Sequence, residues 1–432
     1  MTRRSKLLKT VFAAAVGGCA SLVVLPAYSA PATPTKQARI IPNQYIVVLK
    51  QQALPKSLLG QNIRSLAQTA LASVGGGVVI NHYQSALLGF SVRMTANQAA
   101  ALAKLPYVAS VEADQLMSAS ATQTGATWGL DRVDQRAMPL NGSYIYRDQG
   151  GAGVNVYVID TGLNPSHSEF TGRVGAGRNF APNNDGLIGS FIPGGLIPLN
   201  LAALDFGTGL FDGGTDASDT TDCNGHGTHV AGTAVGTTYG VAKKATIHSV
   251  RVLGCSGSGS NEGVIAGVDW VAANAVHPAV ANMSLGGGDS AALDVAVQNM
   301  IASGVAIAVA AGNDSANACS GSPNKVPEAI TVGSTTNTDA MSSFSNFGAC
   351  VDIFGPGSDI TSADYSNNTG SAVLSGTSMA SPHVAGALAL LLGQNPTASP
   401  ADLANALLGD ATPGVLTGLG AGSPNALLYT AH

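Results

Sequence analysis

The chain has 432 residues, of which only 10% are charged and 45% are hydrophobic. An average soluble protein carries about 25% charge, so this composition argues against a long disordered chain and leaves room for a large buried core. A net charge of −5 with no long basic run gives no reason to expect a nucleic-acid partner.

The charge is uneven along the chain. Residues 1–118 hold 11 of the 20 Lys and Arg and only two acids, Glu112 and Asp114, for a net +9. The remaining residues hold 9 bases and 23 acids, for −14. Opposite signs favour association of the two segments. Four of the bases belong to a leader, yet 31–118 alone still carries seven bases against two acids.

Arg3, Arg4, Lys6 and Lys9 precede an apolar run from Val11 to Leu25, and Ala27-Tyr28-Ser29-Ala30 offers small residues for cleavage. That pattern predicts a signal peptide over 1–30 and a secreted, extracellular product. Val16-Gly17-Gly18-Cys19 loosely fits a lipoprotein cleavage box. It would instead anchor the chain through Cys19, but the apolar run continues past that cysteine. No later stretch has 18 uninterrupted apolar residues, so no membrane span is expected.

Pro31 to Arg39 reads as a linker. Strands are predicted at Tyr45 to Leu49, Val78 to Ile80, Leu87 to Val92 and Tyr107 to Val111. Helices are predicted over Leu58 to Val74 and Met94 to Leu105, giving a small α+β unit that ends in a polar stretch from Met117 to Thr124. Beyond it, strands (Val154–Ile159, Val250–Leu253, Val280–Met283, Val305–Ala310) alternate with helices (from Thr228, Gly263–Ala275, Ala291–Ser303). Such alternation predicts an α/β layer with a largely parallel sheet, whose functional groups gather at the carboxyl ends of strands. Gly186 to Leu204 is uncharged, broken by Pro193 and Pro198, and too long for an ordinary loop. It covers its own apolar patch or contacts an apolar substrate.

Removing the leader leaves four cysteines, Cys223, Cys255, Cys319 and Cys350. An even number suits disulfides outside the cell, and three pairings are possible that spacing does not distinguish. No CxxC pair supports a zinc site.

Three short motifs carry chemistry. Asp160 closes a strand in Val158-Ile159-Asp160-Thr161-Gly162, His226 lies in Asn224-Gly225-His226-Gly227-Thr228-His229, and Ser378 lies in Gly376-Thr377-Ser378-Met379-Ala380. A serine hydroxyl needs a base to become a nucleophile, histidine supplies one near neutral pH, and a buried carboxylate fixes the imidazole tautomer. Each motif has a plainer rival. An Asp after a strand is commonly a turn residue. His226 and His229 have spacing that could bind a metal, though no third ligand is evident. Ser322-Pro323-Asn324-Lys325 fits a Ser-x-x-Lys pattern without its usual companions.

Taken together, in the order Asp, His, Ser, these motifs resemble the subtilisin-like serine proteases, in their proteinase K and aqualysin branch. The resemblance runs from about Ala121 to the end, and Tyr45 to Asp114 resembles the family's inhibitory propeptide. It implies an α/β fold, a subtilisin-like three-layer sandwich with a largely parallel central sheet, preceded by a small α+β propeptide domain. The implied division is a signal peptide over 1–30, linker and inhibitor/chaperone propeptide over 31–120, and peptidase over 121–432.

The resemblance implies a secreted endopeptidase of broad specificity that favours apolar or aromatic residues before the cut. It would be monomeric, made as a self-processing zymogen cut near Ser118 to Ala121, and held in check by its own propeptide. Ser378, His226 and Asp160 would form the catalytic triad, with Asn313 the side-chain donor to the oxyanion. Gly257-Ser258-Gly259 would pair with substrate backbone, and Ser284-Leu285-Gly286-Gly287 would wall the primary specificity pocket. Cys223 would pair with Cys255, and Cys319 with Cys350. The expected cofactor is structural calcium, at Pro327, Ala329 and Asp352 and at a second site on Asp131, Asp134 and Gln135, where Asn141 and Ser143 replace some expected ligands. No catalytic cofactor is expected. Residues 186–204 are an insertion relative to that pattern, and no appended domain is expected after Tyr429. The rival from another class is an inactive, peptide-binding relative.

Overall fold

The computed structural model describes residues 40–54, 62–83, 88–115, 120–147, 149–181 and 217–430. The expected leader and linker, residues 118 and 119 at the expected cut, and the uncharged segment 186–204 lie outside the described residues. The chain divides into two compact units, Met1–Leu116 and Met117–His432.

The first unit contains β1 (Ile40–Leu49), α1 (Ile63–Ala72), β2 (Val78–Tyr83), β3 (Gly89–Arg93), α2 (Ala96–Leu102) and β4 (Val108–Gln115). Its sheet runs β2-β3-β1-β4 with antiparallel neighbours. Both helices start later than their apolar spacing predicts, because side-chain caps set their starts. Asn62 accepts from Ser65 N at the head of α1, and Thr95 and Gln98 form a reciprocal capping box at α2. Leu66, Ala70, Phe90, Val92 and Leu102 bury the facing surfaces.

The second unit begins with β5 (Ser120–Thr124), α3 (Trp128–Val133), β6 (Ser143–Arg147), β7 (Asn155–Asp160) and β8 (Arg178–Asn179). Then come α4 (His226–Val235), β9 (Thr246–Arg251), α5 (Asn261–Asn274), β10 (Ala279–Met283), α6 (Ala291–Ala302), β11 (Ala306–Ala310) and β12 (Ile330–Thr335). The chain finishes with β13 (Ile353–Pro356), β14 (Ile360–Ala363), β15 (Ser371–Leu374), α7 (Thr377–Gln394), α8 (Pro400–Asp410), β16 (Thr412–Pro413) and β17 (Ala426–Leu427). The large sheet has the order β16-β17-β13-β12-β11-β10-β7-β9-β8. All its named pairs are parallel except β16–β17.

A parallel sheet buried on both faces explains why β7 and β11 read as continuous apolar runs, and β10 as one broken only by Asn282. Val156 and Val158 point into one core with Val230, Ala234, Val384 and Leu388 of α4 and α7. Tyr157 and Ile159 point into the other with Val264, Val268, Val297 and Met300 of α5 and α6. The result is the expected α/β sandwich of helix, sheet and helix. Three boundaries differ from expectation. β9 lies at Thr246–Arg251, four residues earlier than its apolar run, because Thr246 pairs with Asn155 at the head of β7. α4 starts at His226 rather than Thr228. The polar stretch at 120–124 is a strand, held by pairing with β6 from Ser120↔Arg147 to Thr124↔Ser143.

Candidate active site

β7 delivers Asp160 as its last residue, fully buried, and Thr161 N donates to Asp160 Oδ1 at 2.7 Å. His226 Nδ1 donates to the same Oδ1 at 2.8 Å, which fixes the tautomer and leaves Nε2 on the far side of the ring. The His226 side chain is 26% exposed, while Asp160 is fully enclosed. Burial opposes charging His226, but the Asp160 charge and hydrogen bond, with Asp222 beyond, outweigh it and hold the imidazole pKa above its ordinary value.

His226 is the first residue of α4, a helix start that its own cap cannot satisfy. The capping position is Gly225, left-handed at φ 106°, where a Cβ would sit 2.6 Å from the Tyr365 ring. Asp222 satisfies the turn instead. Its Oδ1 accepts from Asn224 N, Gly225 N and Thr161 Oγ1, each at 2.9 Å. Its Oδ2 accepts from Thr228 N at 2.9 Å and Thr228 Oγ1 at 2.6 Å. Asn224 Oδ1 takes His226 N and Thr161 Oγ1 takes Gly227 N, so each free N–H of the first turn finds an acceptor. His229 points elsewhere: its Nε2 donates to Ile360 O and Ala372 O, and burial pulls its pKa down to about 4. His226 and His229 therefore share no ligand-binding direction. Among the described residues no group of three His, Cys, Asp or Glu could hold a metal.

Ser378 is the second residue of α7. Four residues on, Pro382 has no N–H to give the Ser378 carbonyl. Ser284 Oγ takes that place, donating to Ser378 O at 2.7 Å. Asn282 Nδ2 donates to Ser284 Oγ at 2.9 Å, and Ser381 Oγ donates to Asn282 Oδ1 at 2.8 Å. Asn282 and Ser381 are fully buried, so the end of β10 is tied to the first turns of α7. Ser378 Oγ itself donates to Ser284 O at 3.1 Å, and among the described residues it makes no hydrogen bond to His226.

Asn313 follows β11. Its Oδ1 accepts from Thr377 N at 2.8 Å and Thr377 Oγ1 at 2.9 Å, leaving Nδ2 as its uncommitted donor. A Cβ built on Gly376 would lie 3.6 Å from both Asn313 Nδ2 and Ser378 N. Both donors thus lie close to Gly376, near enough to each other to serve one developing negative oxygen.

These residues line two adjoining pockets of about 370 and 380 Å³ that share Leu285, Gly286 and Gly287. Asn313, Thr377 and Ser378 border the first; His226, Gly257, Ser258, Gly259 and Ser284 border the second. Among the described residues no strand forms or pairs over 257–259; a turn at 255–256 leads into it, with Gly257 at φ 78° and Gly254 N donating to Ser258 O. A hydroxyl, an imidazole oriented by a carboxylate and a pair of aimed N–H donors in one cleft are the inventory of an acyl-transfer site.

The remaining expected residues lie apart from the cleft. Cys223–Cys255 and Cys319–Cys350 are disulfides with Cα separations of 4.9 and 5.3 Å. The first joins the lead-in to α4 with the turn before Gly257; the second braces the loop that follows Asn313. Ala329 precedes β12 and Asp352 precedes β13, at the amino ends of the parallel strands and so away from the cleft. Asp131 and Asp134 lie on and just after α3. Lys325 pairs with Asp289 and Asp294, and Ser322 Oγ accepts from Ser290 N, so the Ser-x-x-Lys pattern assembles no site. Sequence reading missed Asp222, Asn282, Thr377 and Ser381. Asp222 alone left a local trace, as an acid just ahead of a helix start.

Comparison with known proteins agrees with this geometry. The profile of the Subtilase family matches residues 151–422, and that of Peptidase inhibitor I9 matches 44–120. The chain is 49% identical over 431 residues to an extracellular serine proteinase of Thermus sp. (strain Rt41A), covering 95% of this chain and 97% of the relative. It is 45% identical over 399 residues to the alkaline serine exoprotease A of Vibrio alginolyticus, covering 90% of this chain and 68% of the relative. Among solved structures it matches a cold adapted subtilisin-like serine proteinase at 50% identity and a TM-score of 0.61, over 71% of this chain and 99% of that one.

Proposed function

The chain belongs to the subtilase family and is a subtilisin-like serine proteinase, made as a zymogen behind an inhibitor I9 domain, and from that premise we propose that Ser378, His226, Asp160 and Asn313 carry its chemistry. The observation that carries the assignment is the 2.8 Å bond from His226 to buried Asp160 at the edge of the cleft that holds Ser378. In the reaction, Ser378 Oγ leaves Ser284 O and attacks the scissile carbonyl while His226 Nε2 takes its proton. The developing oxyanion accepts from Ser378 N and Asn313 Nδ2. His226 returns the proton to the leaving amine, and a water repeats the cycle to release the acyl group. Asp160 holds the imidazole in place and stabilises its charged form.

Substrate backbone runs between the edges at Gly257–Ser258–Gly259 and Ser284–Leu285–Gly286, adding a strand where the protein leaves none. Backbone pairing asks little of sequence, so cleavage is broad and internal. The pocket beyond Leu285 favours apolar or aromatic residues before the cut. The protein is exported, trims itself near Ser118 to Ala121, is inhibited by its own I9 domain until then, and works as a monomer on proteins and peptides.

Calcium fits as a structural ion. Among the described residues Asp134 Oδ1 is buried without a partner, and burial with the neighbouring Asp131 charge pushes that carboxyl up to about 6. An oxygen-seeking cation relieves both. Gln135 contributes less than expected, because Asn141 Nδ2 occupies its amide oxygen. At the other site burial pushes Asp352 up to about 6, and its Oδ2 accepts from Thr331 N. Asp352 would hold the ion with the Pro327 and Ala329 carbonyls and water.

A fluorophosphonate probe tests the assignment. The account expects stoichiometric labelling of the processed protein, with the label on Ser378 by peptide mass. No label alongside tight peptide binding would indicate an inactive binding relative and overturn it.

A further inference from the structure

Among the described residues the Asn313 side chain bonds only to Thr377, yet the loop that carries it is gripped from a second direction. Asn346 lies between β12 and β13 and is 6% exposed. Its side chain and backbone reach residues on both sides of Asn313. Asn346 N donates to Gly312 O at 2.9 Å and Asn346 Nδ2 donates to Ala311 O at 2.9 Å. Asn346 Oδ1 accepts from Asp314 N at 2.9 Å and from Ala316 N at 3.0 Å. A second buried amide repeats part of the grip: Asn324 Nδ2 donates to Ala311 O at 2.9 Å and to Ala318 O at 2.8 Å. Gly312 adopts φ 101°, and a Cβ there would lie 2.3 Å from Asn346 Nδ2. The space a side chain would need is therefore filled by the amide that holds the loop.

We infer that Asn346 is a positioning residue for catalysis, fixing the backbone on both flanks of Asn313 so that its Nδ2 stays aimed at the oxyanion. The inference rests on Asn313 being that donor. An oxyanion donor contributes only if it is oriented before the charge develops, because reorganisation during the reaction would cancel the gain. Thr377 fixes the end of the Asn313 amide, and Asn346 fixes the backbone from which it projects. Asn346 and Asn324 line the same pocket as Asn313, but among the described residues neither bonds to Ser378 or His226, and their effect passes through Asn313. A residue acting this way changes transition-state binding and leaves ground-state binding nearly alone.

The test is a double-mutant cycle on the matured enzyme with a peptide substrate. Asn313→Ala should lower kcat by about 10²–10³. Asn346→Ala should lower kcat by at least about 10-fold with KM within about 3-fold. Affinity for a peptide aldehyde, whose adduct carries the oxyanion, should fall by the same factor as kcat/KM. The combined variant should be no worse than Asn313→Ala within about 3-fold, since the clamp has nothing left to aim. Asn346→Asp, nearly isosteric, keeps the acceptors for Asp314 N and Ala316 N but sets an oxygen and a buried charge against Ala311 O. It should show a loss of the same kind, and it serves if the alanine variant does not fold. Losses that multiply in the double variant, a change confined to KM, or unchanged aldehyde affinity would overturn the inference while leaving the role of Asn313 intact. An unchanged kcat in Asn313→Ala would overturn the oxyanion reading and this inference together.

Discussion

Only neutral His226 can accept a proton from Ser378, so its ionisation sets the acid side of activity. Asp160 and Asp222 hold its pKa above the ordinary 6.5 against the pull of burial. As pH falls through that raised value the imidazole becomes charged and kcat/KM drops. The acid limb of a pH–rate profile should thus lie above 6.5. Asp160→Asn removes the nearer charge and leaves burial opposed only by the more distant Asp222. Its limb should shift to lower pH while kcat falls by about 10⁴. A limb that stays in place would mean another group is titrating. Asp222 is a second residue-scale case, because five donors end on one carboxylate. Asp222→Ala leaves the buried donors of Thr161 and Thr228 unmet at about 1–3 kcal/mol apiece. A fall in Tm of several degrees, with loss of kcat as the His226 turn loosens, is the expected outcome in thermal melts and steady-state assays.

At the scale of elements, Pro382 and the two disulfides carry the argument. Pro382→Ala restores an N–H four residues after Ser378 and sets it competing with Ser284 Oγ for the same carbonyl. Thermal stability should hold or rise while kcat falls several-fold; equal kcat would show that the Ser284 contact does not matter. Each disulfide spans about 30 residues, so replacing both cysteines of a pair with serine should cost about 3–4 kcal/mol in denaturant unfolding.

Elements also differ in how plainly they could be read. β7 and β11 were legible because strands buried on both faces leave continuous apolar runs, and β10 because Asn282 alone interrupts its run. Asp160, His226 and Ser378 were legible because each sits in a short motif of glycine and small residues at an element end. β5 was not, since Ser120–Thr124 has no apolar pattern and is a strand only through β6. The start of α4 was obscured because His226 and Gly227 are weak helix formers and the cap comes from Asp222, outside the helix. Asn282 and Asn346 left no trace because their amides bond across distant parts of the chain, Asn282 to Ser381 at a separation of 99 residues. Such contacts have no period.

For the whole molecule, the proposed calcium and the opposite charges of the two segments can each be tested. Calcium that binds the folded chain and not the unfolded one stabilises it by mass action. Chelation should lower Tm, and calcium titrated back should restore it in a concentration-dependent way; magnesium at equal concentration should do less, because it demands stricter geometry. Charge acts between the segments: 31–118 carries seven bases against two acids and the rest nets −14. The isolated I9 domain, added to matured enzyme, should inhibit less tightly as salt rises. Inhibition constants that ignore salt would place the affinity in apolar contact instead.

The most direct measurement is the intact mass of the secreted product, wild type beside Ser378→Ala. The account predicts that the wild type loses everything before roughly Ala121, while Ser378→Ala keeps its propeptide attached. If both chains emerge with the same trimmed mass, another protease makes the cut and self-processing through Ser378 is contradicted.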